Sequence, residues 1–247
     1  MSRAVVTLCI GEEWNQMAQL THPTIRKYAA KVHADFLLIN NPIFNFDPGY
    51  EKFQIGNFLD HYDRILFLDT DIIVRDFCPD LFDLVPERDI GAFIESNYMF
   101  WSEEVDQRAA IAGMQQELSQ LGWNKDYCNT GVLVVSKRHK PIFDINHGQV
   151  VHLHEQTQLN YNIKKMGFWV HHIPRRFNCM DFINPSERFE AYMIHYAGRG
   201  YTDEFHNMEK KLARISQDLD IIKQIEDYEN GGPNSEHDSE TEVARTE

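Results

Sequence analysis

Residues Arg64 to Val74 read RILFLDTDIIV. The apolar run Ile65 to Leu68 has the length and composition of a buried strand, and it runs straight into Asp69-Thr70-Asp71 before Ile72, Ile73 and Val74 resume it. A buried carboxylate is costly unless it is paired, hydrogen-bonded or bound to a cation, so two of them here require a partner. Ligands of open α/β sheets bind at the carboxyl ends of the strands, which is where Asp69 and Asp71 would lie. Residues two apart on an extended backbone point the same way, so the pair offers two hard oxygen donors of the kind Mg²⁺ and Mn²⁺ take. The competing reading is a turn in which both carboxylates cap backbone amides.

Outward from this stretch, strand and helix signals alternate. Ala4 to Ile10 reads as a strand, and Thr21 to His33 as a helix with Thr21 as N-cap ahead of Pro23. Asp35 to Ile39 is a second strand and Lys52 to Tyr62 a helix leading into RILFL. Further strands are expected at Ile90 to Ile94, Gly131 to Val135, Phe168 to Val170 and Met193 to Tyr196, with helices over Val105 to Leu121 and His154 to Met166. Alternation of this kind predicts an α/β domain with a mainly parallel sheet and crossover helices, here over residues 1–203. From Glu204 to Tyr228, Phe205, Met208, Leu212, Ile215, Leu219, Ile222 and Ile225 recur by threes and fours, an amphipathic helix over 204–228. Residues 229–247 are polar and acidic with almost nothing to bury, and are expected to be a disordered tail.

The formal charge of −14 excludes a nucleic-acid binder that works through a basic face. No stretch reaches the length of apolar residues a membrane span needs, and the first residues lack a secretory apolar core. The four cysteines are scattered without CxxC spacing, so a reduced, cytoplasmic protein is expected. The mixed charge on the polar side of the 204–228 helix disfavours a membrane surface and leaves docking of a partner or a second copy, a homo-oligomer, as its expected use.

Several segments together resemble the GT-A fold glycosyltransferases of family 8, the group of glycogenin and the bacterial galactosyltransferases. YDRILFLDTDIIVRD resembles its metal motif, YCNTGVLVVSK its Asn-x-Gly-Val strand, and HEQTQLN its Asp-Gln-x-x-Leu-Asn helix start with Glu155 for Asp. IPRRFN is similar to its Leu-Pro-x-x-Phe-Asn segment and IHYAGRG to its His-Phe-x-Gly motif, all in family order. The resemblance implies a single GT-A, Rossmann-like domain and a hexosyltransferase using a nucleotide-sugar donor, a UDP-sugar first, and a glycan or other hydroxyl acceptor.

Carried over position by position, the resemblance makes Asp69, Asp71 and His195 ligands of Mn²⁺ or Mg²⁺, with the imidazole favouring Mn²⁺. Thr7, Cys9, Lys52, Thr70, Gly198 and Arg199 join Asp69 and Asp71 in the donor-binding set. Gly198 would allow close approach to the diphosphate, and Arg199 would supply the charge of a family lysine that the run Arg199-Gly200-Tyr201-Thr202 lacks. Asn129, Glu155 and Gln156 would surround the transferred sugar as the catalytic group, and Arg175, Arg176 and Asn178 would lie on the acceptor side. In retaining members the leaving diphosphate assists attack on its own face, so retention is the expected outcome.

Other readings remain at this point. An apolar strand ending in Asp-x-Asp also occurs in haloacid-dehalogenase-type phosphatases, where Asp69 would be a nucleophile, although Ile73 then stands where that family wants Thr or Val. A catalytically degenerate, carbohydrate-binding relative would keep the sugar site without donor turnover. His152, His154, His171 and His172 have no cysteine or carboxylate at ligand spacing and are not expected to bind metal. Tyr98 and Trp101 are candidates for stacking on a sugar ring.

Overall fold

The computed structural model describes residues 1–44, 46–95, 101–145, 154–181, 186–197 and 208–229. Tyr98, His152, Gly198, Arg199 and the tail from 230 lie outside these residues, as do the side chains of Trp101 and His154.

Strand β1 (Arg3–Leu8) leads into helix α1 (Glu12–Lys31) and strand β2 (Asp35–Ile39). A 3₁₀ segment (Pro48–Gln54) and the short α2 (Ile55–Phe58) precede β3 (Arg64–Leu68) and β4 (Ile72–Val74). Then follow α3 (Leu81–Leu84), β5 (Ile90–Ile94), α4 (Trp101–Glu117), β6 (Cys128–Ser136), α5 (His154–Lys165) and β7 (Val170–His172). The short strands β8 (Cys179–Met180) and β9 (Met193–His195) precede α6 (Met208–Glu229).

The main sheet runs β2-β1-β3-β6-β5-β7. β1 pairs parallel with β2 and β3, and β5 parallel with β7, while β6 runs antiparallel to both β3 and β5. A mainly parallel mixed sheet flanked by helices is therefore the fold, as the alternation of elements predicts. Its inner strands β1, β3 and β6 read as largely apolar runs because both faces are covered. Val5, Leu66, Leu68, Val132 and Val134 pack on one face with Ile25 and Tyr28 of α1 and Leu81 and Phe82 of α3. The alternate residues Ala4, Val6, Ile65, Phe67, Leu133 and Val135 pack on the other with Tyr50, Phe53, Ile55 and with Leu159 and Ile163 of α5.

Several expectations change in detail, and the strand expected at Phe168 to Val170 is Val170–His172. Helix α1 starts at Glu12, nine residues before the expected N-cap Thr21. Met17, Thr21, Ile25 and Tyr28 form one buried stripe through it. Packing of that stripe carries the helix past Pro23, which removes one backbone hydrogen bond without ending it. Thr21 instead donates its hydroxyl to the carbonyls of Met17 and Thr70, tying α1 to the Asp-x-Asp segment. The helix expected over Lys52 to Tyr62 is instead the end of a tighter 3₁₀ run, Pro48–Gln54, followed by one α-turn, Ile55–Phe58. The last change concerns RILFLDTDIIV itself, which is two strands: β3 belongs to the main sheet, whereas β4 joins a second sheet of order β4-β9-β8. Asp69-Thr70-Asp71 is the crossing between the two sheets.

Helix α6 lies back on this second sheet. Ile215 and Ile222 are buried with Ile73, Cys179, Ile194, Tyr196 and, from α1, Met17, and Leu212 and Leu219 pack against the same cluster. Its apolar stripe is thus covered by its own chain rather than left for a second copy. No helix among the described residues is long and apolar enough to cross a membrane. All four cysteines are buried and unpaired.

Candidate active site

The sheet crossing places the carboxylates. The Asp69 N–H donates to the Gly131 carbonyl of β6 at 2.8 Å, and the Asp71 carbonyl accepts from the Tyr196 N–H at 3.0 Å. Asp69 therefore hangs from the end of the main sheet and Asp71 from the second sheet, beside His195 at the end of β9, which pairs with Ile72. One ligand atom from each of Asp69, Asp71 and His195 lies within 4.8 Å of the others.

A chain of hydrogen bonds fixes how His195 faces this cluster. The Gly131 N–H donates to Asn129 Oδ1 at 2.9 Å, so that atom is an acceptor. Asn178 Nδ2 donates to the same oxygen at 2.9 Å, which turns Asn178 Oδ1 toward His195 Nδ1 at 2.8 Å. Nδ1 must then carry a proton, and Nε2 points at Asp71 Oδ1 (3.3 Å) and Asp69 Oδ2 (3.7 Å). An imidazole whose far nitrogen is held by a hydrogen bond is the usual arrangement of a histidine metal ligand. Burial works to lower the His195 pKa, but the two carboxylates outweigh it and raise it; burial likewise opposes the charge on Asp71, and Lys211 and His195 overcome it and hold its carboxyl below the ordinary range.

Gly131 lets His195 and Asp69 close in against the backbone of β6. A Cβ there would collide with His195 Cε1 and come within 2.7 Å of Asp69 Oδ2. Two carboxylates and one aimed imidazole nitrogen fit a divalent cation with open positions.

Around this core the structure gathers most of the expected residues. Lys52, 1% exposed, lies 3.3 Å from both Asp69 Oδ1 and Glu155 Oε1. It also reaches Thr130 Oγ1 at 3.2 Å. Burial acts to lower its pKa, but Asp69 and Glu155 outweigh that and raise it, so it stays an ammonium. Gln156 accepts from the Thr130 N–H at 3.1 Å and donates to Glu95 at 3.4 Å. Thr70 is buried in the crossing. Thr7 is buried on β1, and its hydroxyl has no partner among the described residues. Cys9 follows β1 and donates its thiol to Asn15 Oδ1 at 3.4 Å.

The three acceptor-side candidates separate. Asn178 is fully buried behind His195, as just described. Arg175 pairs with Glu187, and Arg176 donates to the Glu190 carbonyl while its guanidinium lies over the Tyr192 ring.

Sequence reasoning missed Lys211 of α6, whose Nζ donates to Asp71 Oδ2 at 2.6 Å. A signal was present: Lys211 and Asp218 sit on the helix face of Ile215 and Ile222, charges in an otherwise apolar stripe. Thr130 and Gly131 were also missed as site residues, being read only as part of a strand.

This fold recurs in solved structures. A glycosyltransferase involved in glycosylation of the major capsid of PBCV-1 superposes with a TM-score of 0.57 at 11% identity, covering 88% of this chain and 100% of that one. The galactosyltransferase LgtC, in complex with donor and acceptor sugar analogs, gives 0.50 at 14% identity over 87% of this chain and 95% of its own. The bifunctional glycosyltransferase WbbM gives 0.55 at 14% identity, with 90% of this chain aligned to 51% of it. These likenesses define a GT-A architecture. No curated protein matches the chain. The model of glycosyl transferase family 8 matches residues 40–200, well over half the sequence, and the chain belongs to that family. It is a glycosyltransferase, and the phosphatase reading of Asp69 falls away.

Proposed function

We propose that the protein transfers a hexose-type sugar from a UDP-sugar to a hydroxyl acceptor with retention of configuration, and that Asp69, Asp71 and His195 hold a Mn²⁺ or Mg²⁺ at the donor diphosphate. The observation that carries this is the convergence of those three side chains, with ligand atoms within 4.8 Å of one another and His195 Nε2 aimed by Asn178. The cation, when bound, supplies charge stabilisation to the departing diphosphate.

The chain's own groups do the rest. Lys52 holds Asp69 and Glu155 in place and adds fixed positive charge beneath the cluster. Glu155 lies with its other oxygen over Gly49, where a Cβ would come within 2.7 Å of it. Asn129, Glu155 and Gln156 form the wall expected to orient the donor sugar. Gln156 cannot take a proton, and Glu155 is already the counter-ion of an ammonium, which favours retention without a protein base. Thr7 and Cys9 line the base and ribose end. Arg175 and Arg176, together with Gly198 and Arg199, are assigned to acceptor and diphosphate as the family resemblance implies.

The test is the melting temperature with and without UDP, in Mn²⁺ and then in EDTA, for the wild type and Asp69→Asn. A ligand at a hundredfold its dissociation constant adds about 2.7 kcal/mol, which raises the midpoint of a domain this size by roughly 5–10 °C. The rise is expected only with Mn²⁺ present and only in the wild type. No shift with UDP in Mn²⁺ would remove the proposal.

A further inference from the structure

Helix α6 lies beyond the part of the chain that the family model matches, which ends at residue 200. It nevertheless delivers a cation into the proposed metal site. Lys211 Nζ donates to Asp71 Oδ2 at 2.6 Å, with both side chains about one-tenth exposed. Its ammonium also lies 5.7 Å from the centre of the Trp14 ring.

Burying a lysine on the apolar face of a helix is unfavourable unless its charge meets a fixed partner. The helix that carries it is anchored firmly. Asp218, fully buried, accepts from Arg188 Nε at 2.7 Å, from Arg188 Nη2 at 3.0 Å and from the Tyr196 hydroxyl at 2.9 Å. Near the other end Arg75, itself buried, donates to Glu226 Oε1 at 3.2 Å. Tyr196 directly follows the metal-ligand candidate His195, and Arg75 follows β4, so both anchors attach α6 to the sheet that bears the site. The arm of Lys211 is placed by the fold rather than by chance contact at a surface.

Its place has a chemical consequence. Asp71 holds His195 on one oxygen and Lys211 on the other. A divalent cation at Asp71 would stand beside a fixed ammonium, and like charges at that range in a buried site repel strongly. An anion bound to that cation would in turn lie within reach of the ammonium, and a diphosphate is the anion this site is proposed to take. Lysine is a compact point charge with three donors, suited to phosphate oxygens.

We propose that Lys211 is a donor-binding residue: without ligand it is the resident counter-ion of Asp71 and competes with the metal, and with metal and nucleotide bound it pairs with the diphosphate. This rests on the metal–diphosphate reading above, and it predicts effects of opposite sign. Free Mn²⁺ is followed by its electron paramagnetic resonance signal as protein is added, and UDP binding in saturating Mn²⁺ is followed by calorimetry.

Lys211→Met is expected to bind Mn²⁺ alone about tenfold more tightly and UDP in Mn²⁺ about tenfold to a hundredfold more weakly than the wild type. Lys211→Gln, which keeps a hydrogen-bonding end for Asp71, repeats the comparison where methionine costs too much stability. A purely structural lysine would weaken both affinities together, and that result, or no change in either, overturns the inference while leaving the metal site standing. Absence of UDP binding by the wild type in Mn²⁺ would overturn the underlying reading and this inference with it.

Discussion

At the scale of single residues, Gly131 decides whether the cluster can hold anything. It sits in β6, where the backbone suits any residue, so its importance lies in what surrounds the missing Cβ. His195 is the obstacle, and its ring is held from behind by Asn178 and cannot swing away at no cost. Gly131→Ala is therefore expected to fold, with a loss of about 1–3 kcal/mol from overpacking, and to lose the Mn²⁺-dependent UDP stabilisation. Urea titration gives the first quantity and the melting shift the second; an alanine variant that keeps the full shift would show that the close approach of His195 and Asp69 to β6 is not needed to hold the cation.

At the scale of elements, α6 is tied to the second sheet by buried polar contacts. Asp218 meets Arg188 and Tyr196 where no water competes, with Arg214 a further 3.5 Å neighbour on the same helix. Removing one partner of such a network leaves the others buried without their charge. Asp218→Ala is expected to cost about 3–5 kcal/mol and to expose α6 to proteolysis before the rest of the chain. Equal protection of α6 in variant and wild type would contradict this.

The elements also show what periodicity can and cannot convey. The strand at Ile90 to Ile94 and the strand at Asp35 to Ile39 were legible to the residue, because a short apolar run between polar turns has few other uses. The break in RILFLDTDIIV was not legible as a change of sheet. Both halves are apolar and extended, and only the antiparallel pairing of Ile72 to Val74 with Met193 to His195 reveals it. The start of α1 was missed for a related reason. Pro23 is a strong local stop signal, and the burial of Met17 and Thr21 that overrides it is a tertiary fact.

At the scale of the whole molecule, two histidines that are not among the proposed metal ligands couple stability to pH. His139 accepts the Ser136 N–H on Nδ1 at 2.9 Å and so presents Nε2–H to the Arg88 carbonyl at 3.2 Å. A second proton has no place there, and burial first, then nearby Arg138 and Arg64, lower its pKa to about 4. Burial and Arg26 lower His22 to about 4 as well. Above the unfolded value of about 6.5 neither matters. As pH falls from there toward 4 the unfolded chain takes up protons that the folded chain refuses. Stability should therefore fall by about 1.4 kcal/mol per pH unit for each histidine across that window. Urea midpoints between pH 7.5 and 4.5 test this, and His139→Gln should flatten the slope by one proton; an unchanged slope would exclude His139 as a source.

What the sequence determined by itself is the chemistry available and the class of fold. Asp-x-Asp at a strand end is a local pattern fixed by strand alternation, and the Asn-x-Gly-Val strand, the Glu-Gln helix start and the late His195 gained their roles from the resemblance to family 8. The tertiary structure alone decided that Asn178 stands behind His195, that Gly131 admits His195 and Asp69 close against β6, and that Lys211 reaches Asp71. That last pair is 140 residues apart. No periodicity spans such a separation: the contact exists because burying the apolar stripe of α6 against the second sheet fixes where its one inward lysine must point.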